Sequence, residues 1–231
     1  ESDFRLIRES GANTIRRYRS DMFDRNILTI AEEKDLKVLF GFDLSASNSY
    51  QPESYYFQKQ REKILETVQK YHTRPSILGW NLGNEIWGKL KFHFSQPELR
   101  QVRKNYLTFI ETLCQEIKAI DSVHPVLLSL EGGEELLGSL QQSLLLAPSI
   151  DVIGVNAYYE NHLANVDSIF QVHGKNKPYL ITEFGPDGYW HKQLSQWDSV
   201  SFITEPSSYE KARSYYQRWT NYLSEGINGS L

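Results

Sequence analysis

Six short apolar runs recur along this chain, and each carries a charged or amide side chain at or near its C-terminal end. They are NTIRRY (13–18), LKVLFGFDL (36–44), ILGWNLGN (77–84), PVLLSLE (125–131), DVIGVNAYY (151–159) and PYLITEF (178–184). Most are continuous rather than alternating, which is how strands covered on both faces read, so they predict a parallel sheet sandwiched by helices. The segments between them carry helical periodicity. Over 97–120, Leu99, Val102, Tyr106, Phe109, Leu113, Ile117 and Ile120 share one stripe, and over 54–71, Phe57, Ile64, Val68 and Tyr71 do the same. Ser207 followed by Glu210 predicts a capping box opening a helix through about residue 224.

Open doubly wound sheets and closed barrels both alternate in this way. A dinucleotide-binding sheet needs G-x-G-x-x-G after its first strand and a nucleotide-triphosphate site needs a glycine-rich lysine loop, and the chain contains neither. The strand ends favour the barrel: Arg16, Asp43, Asn84 with Glu85, Glu131, Asn156 with Tyr158, and Glu183. In a (β/α)8 TIM barrel such ends converge on one face, where the active site lies. Six strands are fewer than eight. The expectation is a single α/β domain over 1–231 that lacks the first and last strands of a barrel and forms part of a longer chain with additional strands or domains.

Composition removes several function classes. The net charge of −4 with no basic stripe argues against a nucleic-acid partner. No run of 18 apolar residues is present, so no helical membrane span is expected. A lone Cys114 on a helical stripe leaves no internal disulfide and no cysteine-rich zinc site, and the six His residues show no metal-binding spacing. No G-x-S-x-G elbow supports a serine hydrolase. No metal or cofactor is expected. The 14 Tyr and 5 Trp suit a sugar-stacking surface as well as an ordinary core and rim.

Glu85 and Glu183 carry the sharpest chemical signal. Each follows an apolar strand, and a carboxylate at the end of such a run must be paired, protonated or used in chemistry, because an unsolvated charge costs several kcal/mol, roughly. Singly, either could be a loop anchor. Together they are the two carboxyl groups of glycoside hydrolysis, one protonating the leaving oxygen and the other attacking the anomeric carbon or activating water.

The stretches GANTIRRY, GWNLGNE, VIGVNAYY and ITEFGPDGYW resemble the barrel domain of glycoside hydrolase family 2 and its bacterial relatives, and the resemblance runs over about residues 11 to 220. These are retaining β-glycosidases with the acid/base Glu after the fourth barrel strand and the nucleophile Glu after the seventh. The resemblance implies a hydrolase of a β-linked oligo- or polysaccharide, with Glu85 as acid/base and Glu183 as nucleophile. It also implies that Asn84 holds the sugar 2-hydroxyl, and that Arg16 with Tyr158 or Tyr159 hydrogen-bonds Glu183. A guanidinium beside one carboxylate favours its ionised form, whereas an apolar surround favours the protonated form of another, so identical groups can take different roles.

Several assignments stay open at this level. Arg16 and Arg17 point to opposite faces of a strand, so one enters the barrel mouth; the family match selects Arg16 and leaves Arg17 to a surface or helix-packing ion pair. Asn156 belongs to the same rim. Asp43 and Glu131 are each either a ligand for a substrate hydroxyl or a loop-capping group, and Glu131 is the rival catalytic carboxylate. Trp87, Phe92, His93 and Phe94 follow one strand and Tyr189, Trp190, His191 and Trp197 another; Trp190 is the first choice for stacking on a sugar ring. The alternatives to hydrolysis are a β-glucan transglycosylase on the same machinery and a non-catalytic carbohydrate-binding barrel.

Overall fold

The computed structural model describes residues 2–158, 162–174, 176–185, 194–197, 200–203 and 206–224. All six anticipated runs form strands: β1 Thr14–Arg16, β2 Lys37–Phe42, β3 Ile77–Asn84, β4 Val126–Glu131, β5 Val152–Asn156 and β6 Tyr179–Glu183. They pair in parallel in the sequential order β1-β2-β3-β4-β5-β6. A doubly wound sheet would reverse its strand order at a switch point; this one does not.

The helices are α1 Ser2–Glu9, α2 Asp24–Glu33, α3 Tyr55–Tyr71, α4 Ile86–Lys89, α5 Glu98–Ile120, α6 Leu136–Leu146, α7 His162–His173 and α8 Ser208–Ser224, with a 3-10 turn at Leu90–Phe92. Local chemistry sets their ends. The Ser54 hydroxyl accepts from the Phe57 N–H at 3.2 Å and caps α3. Ser207 and Glu210 form the anticipated box, with Ser207 N–H donating to Glu210 Oε2 at 2.7 Å and Glu210 N–H to Ser207 Oγ at 3.3 Å. Among the described residues no helix is long and apolar enough to cross a membrane.

The stripes read from sequence are the buried ones. Leu99, Val102, Tyr106, Phe109, Leu113 and Ile117 of α5 and Phe57, Ile64, Val68 and Tyr71 of α3 join the strand side chains in one hydrophobic cluster, with Cys114 inside it. Trp80 of β3 is fully buried, and its indole N–H donates to Asp121 at 2.8 Å, which satisfies the polar tip of the largest core side chain.

Among the described residues no pairing between β1 and β6 closes the sheet, so six strands form a curled, partial barrel, in keeping with the expectation of a barrel short of its full strand set. The curl is tight enough that the Arg16 side chain on β1 donates to the Thr182 carbonyl on β6 at 3.0 Å. One feature departs from expectation: an antiparallel hairpin, β7 Leu194–Trp197 with β8 Val200–Ile203, that periodicity did not predict.

Candidate active site

The sheet register delivers polar side chains to one rim. Arg16, Asn84, Glu131, Asn156 and Glu183 are the last residues of β1, β3, β4, β5 and β6, and Glu131 pairs with Asn156, and Asn156 with Glu183, across neighbouring strands. Parallel strands of matched length end together, so their terminal residues form a ring at one end of the sheet.

Arg16 is the hub of that ring. One terminal nitrogen donates to Glu183 Oε1 at 2.8 Å and to the Thr182 carbonyl, and the other donates to Asn84 Oδ1 at 2.9 Å and Ser129 Oγ at 3.1 Å. The Arg16 and Glu183 side chains are 6% and 13% exposed, so this ion pair lies where water screens it weakly. Arg17 turns to the other face and pairs with Asp24 and, at 3.0 Å, with Asp21. The strand pleat thus separates two adjacent arginines.

Glu85 sits at the other end of the same network. Asn156 Nδ2 donates one hydrogen to Glu85 Oε1 at 2.8 Å and the other to Asn84 Oδ1 at 3.0 Å, while Asn156 Oδ1 accepts from Thr182 Oγ1 at 2.8 Å. Every hydrogen-bonding position of that amide is defined, and so is its orientation. Both donors to Asn84 end on Oδ1, which turns its Nδ2 away from them. Glu85 Oε2 meets Lys89 Nζ at 3.2 Å. The Glu85 backbone is left-handed, with φ of 56° and ψ of 31°, and opens the one-turn helix α4. Such a conformation is uncommon for a residue other than glycine and is concentrated at functional sites.

Two tyrosines complete the surround of Glu183. The Tyr158 hydroxyl donates to Glu183 Oε2. Tyr18 lies with its ring under the Arg16 guanidinium, 4.5 Å from the centroid, and near the Glu183 carboxylate. Burial first, and then the adjacent Glu183 carboxylate, push both phenols above their ordinary value, so each keeps its proton at neutral pH.

The remaining sequence candidates fall into three places. Asp43 is exposed on the rim and lines, with Arg16, Arg17, Tyr18, Arg19 and Asp21, an open pocket of about 490 Å³. Glu131 lies behind the ring: both carboxyl oxygens are buried without a well-formed hydrogen bond, and they face Gly88. Trp190, with Tyr159, Tyr189 and His191, lies outside the described residues. Trp87 is buried beneath Arg103, whose guanidinium lies 4.6 Å from its ring centroid, while Phe92 and His93 are exposed and Phe94 is half-buried. Sequence reading missed Tyr18, Ser129, Thr182 and Lys89. Ser129 and Thr182 were detectable, since each interrupts an apolar strand near its C-terminal end. Among the described residues no group of three or more His, Cys, Asp or Glu side chains is arranged to hold a metal ion.

No protein-family model matches this chain, and no curated protein matches it in sequence. Solved structures do match its fold. The chain is similar to a β-glucuronidase from Bacteroides uniformis, with a TM-score of 0.70 at 20% identity over 99% of this chain and 27% of that one. It is similar to a GH2 β-galacturonidase from Eisenbergiella tayi bound to galacturonate, with a TM-score of 0.70 at 19% identity over 99% of this chain and 38% of that one. A β-galactosidase from Marinomonas ef1 matches with a TM-score of 0.62 at 10% identity, over 95% of this chain and 50% of that one. The chain therefore spans between about a quarter and a half of the length of these structures, and shares its fold with that part of them.

Proposed function

We infer that this chain carries the catalytic face of a retaining β-glycosidase, with Glu183 as nucleophile and Glu85 as acid/base. The observation that carries this reading is the continuous link from Glu183 through Arg16, Asn84 and Asn156 to Glu85, which fixes two carboxyl groups on one rim with unlike partners. The names of the similar structures, a β-glucuronidase, a β-galacturonidase and a β-galactosidase, support a β-linked hexose or hexuronic acid as the substrate class.

The residues divide the work as follows. A Glu183 oxygen forms a bond to the anomeric carbon as the bond to the leaving oxygen breaks, and Glu85 passes its proton to that oxygen. Arg16 and Tyr158, one on each Glu183 oxygen, hold the carboxylate aimed. Asn156 holds Oε1 and so fixes which way the Glu85 carboxyl faces. Asn84 offers its amide nitrogen to the sugar 2-hydroxyl, a contact that strengthens in the oxocarbenium-like transition state. In the second half, Glu85 removes a proton from water, whose oxygen displaces Glu183 from the anomeric carbon and regenerates both groups. A sugar hydroxyl in place of water gives glycan transfer by the same steps.

Incubation with 2-deoxy-2-fluoro β-glycosides carrying good leaving groups, followed by intact mass and peptide mapping, tests the reading. The expected result is a single adduct on Glu183. An adduct on Glu131 reassigns the nucleophile. Absence of any adduct, on this chain and on the longer protein, overturns the catalytic reading in favour of a carbohydrate-binding barrel.

A further inference from the structure

Among the described residues Glu131 has the most buried polar atoms without a partner. Both of its oxygens are buried with no well-formed hydrogen bond, and a buried carboxyl in that condition calls for an explanation. Its contacts say where the consequence falls. A side chain at Gly88 would meet the Glu131 carboxyl at 2.8 Å, so the absence of one there lets α4 rest against the carboxyl. α4 is only one turn long; its first backbone bond runs from Lys89 N–H to the Glu85 carbonyl at 3.2 Å, and the Glu85 N–H is tied to the Ser129 carbonyl on β4 at 3.1 Å. The turn behind which Glu131 lies is therefore the turn that Glu85 opens.

We propose that Glu131 is a positioning residue for Glu85: with its proton on, its carboxyl packs behind Gly88 and holds α4 in place, and with its proton off it pushes that turn, and Glu85 with it, out of register. The proposal rests on Glu85 being the acid/base; the packing of Glu131 against α4 does not.

The charged groups around Glu131 agree with a protonated resting state. On the α4 side its neighbour is Glu85, and ahead of α6 it is Glu135, both acidic; from α5 comes the buried Tyr106. The cations nearby are engaged elsewhere, Lys91 and Arg103 with Glu135 at 3.0 and 3.2 Å, and Lys89 with Glu85. Burial, opposed by the amides of Glu131 and Gly88 and reinforced to a smaller extent by the two glutamates, raises the Glu131 carboxyl to about 7. A group that releases its proton there changes state across the working range of most enzymes.

Amide NMR of the α4 turn, followed from pH 6 to pH 8 in the native protein and in Glu131→Gln, tests the coupling without requiring turnover. The Trp87 and Gly88 amide resonances are expected to titrate near pH 7 in the native protein and to be flat in Glu131→Gln. Titration that persists in Glu131→Gln overturns the proposal, as does a flat response in both. Should Glu131→Gln fold poorly, Gly88→Ala gives a second reading. Its new methyl displaces the α4 resonances, and adding Glu131→Ala, which removes the clashing carboxyl, is expected to restore them; failure of that rescue also overturns the proposal. In the active protein, turnover at pH 8 relative to pH 6 is expected to drop roughly tenfold natively, as a single ionisation near 7 dictates, and to be flatter in Glu131→Gln. Loss of all turnover with the NMR coupling intact would sink the glycosidase reading and leave the packing of Glu131 on α4 standing.

Discussion

Arg16 on the first strand donates to Glu183 on the sixth at 2.8 Å, and the same guanidinium reaches the Thr182 carbonyl, Asn84 and Ser129. A planar cation with five donors suits four acceptors arranged around it; an ammonium does not. Arg16→Lys is therefore expected to behave as a loss. Adduct formation on Glu183 should slow by about 10²–10³-fold, the size typical of losing a preorganised donor at a charge-bearing centre. Arg16→Met should also destabilise the fold by about 3–5 kcal/mol, because it leaves a buried carboxylate without its partner. Stopped mass-spectrometric labelling and urea unfolding read the two effects, and a lysine variant that labels at the native rate would refute this account of the hub.

Glu85 and Glu183 should fail in different ways. Glu183→Gln is expected to abolish labelling and turnover outright. Glu85→Gln should still accept a fluoroglycoside with a good leaving group, since such a group departs without a proton, but should be slow with poor leaving groups and in releasing the intermediate. Rates of Glu85→Gln measured against a series of leaving groups check this; an equal fractional loss with good and poor leaving groups contradicts the division of roles.

Asn156 tests whether orientation matters as much as charge. Asn156→Asp replaces the amide that donates to both Glu85 and Asn84 with an acceptor beside an acceptor. The displaced carboxyl of Glu85 should cost about 10²-fold in turnover, the scale of a misplacement near 1 Å. Thr182 supplies the hydroxyl that fixes the Asn156 carbonyl, so Thr182→Val should give a smaller loss in the same direction. Comparison of kcat for the two variants decides it.

Glu131 gives a stability prediction with a definite sign. Its carboxyl binds its proton more tightly in the folded chain, near 7 against an ordinary value of 4.5, so nothing is lost at pH below about 4.5. Between pH 4.5 and about 7 the unfolded chain releases this proton and the folded one does not, and folding stability falls as pH rises; above 7 the deficit is constant. At 1.36 kcal/mol per unit the deficit is about 3 kcal/mol. Urea midpoints at pH 4 and pH 8 should therefore move Glu131→Gln upward relative to the native protein at the higher pH only. A difference that does not depend on pH would show that the carboxyl is not the cause.

Much of this organisation was legible before any coordinates, for identifiable reasons. Continuous apolar runs such as VLLSL and LKVLF belong to strands covered on both faces, and the polar residue that closes each run lands on the rim because parallel strands of similar length end together. Arg16, Asn84, Glu85, Asn156, Tyr158 and Glu183 could be named together for that reason. Tyr18 escaped because it follows its strand by two residues and returns toward Glu183 through a contact that no local pattern encodes. Glu131 was legible as a strand end, but what covers it is α4, a turn supplied by a different part of the chain. The β7–β8 hairpin was missed because LSQW and VSFI are short, and Asp198-Ser199 between them is not a pair that marks a tight turn.

One further consequence follows from the tie between the first and sixth strands. A hydrogen-bond ladder is redundant: losing one rung leaves the others to hold the register. Here, among the described residues, one guanidinium joins the two outer edges of the curled sheet at the rim, so the joint has one rivet, and that rivet grips the carboxylate proposed to react. Esterification of Glu183 would discharge one of its four attachments and leave the carbonyl, amide and hydroxyl to bear the load. Under the proposed mechanism the covalent state of the glutamate then sets how firmly the two edges are joined, and the rim is most loosely held while the glycosyl group is attached.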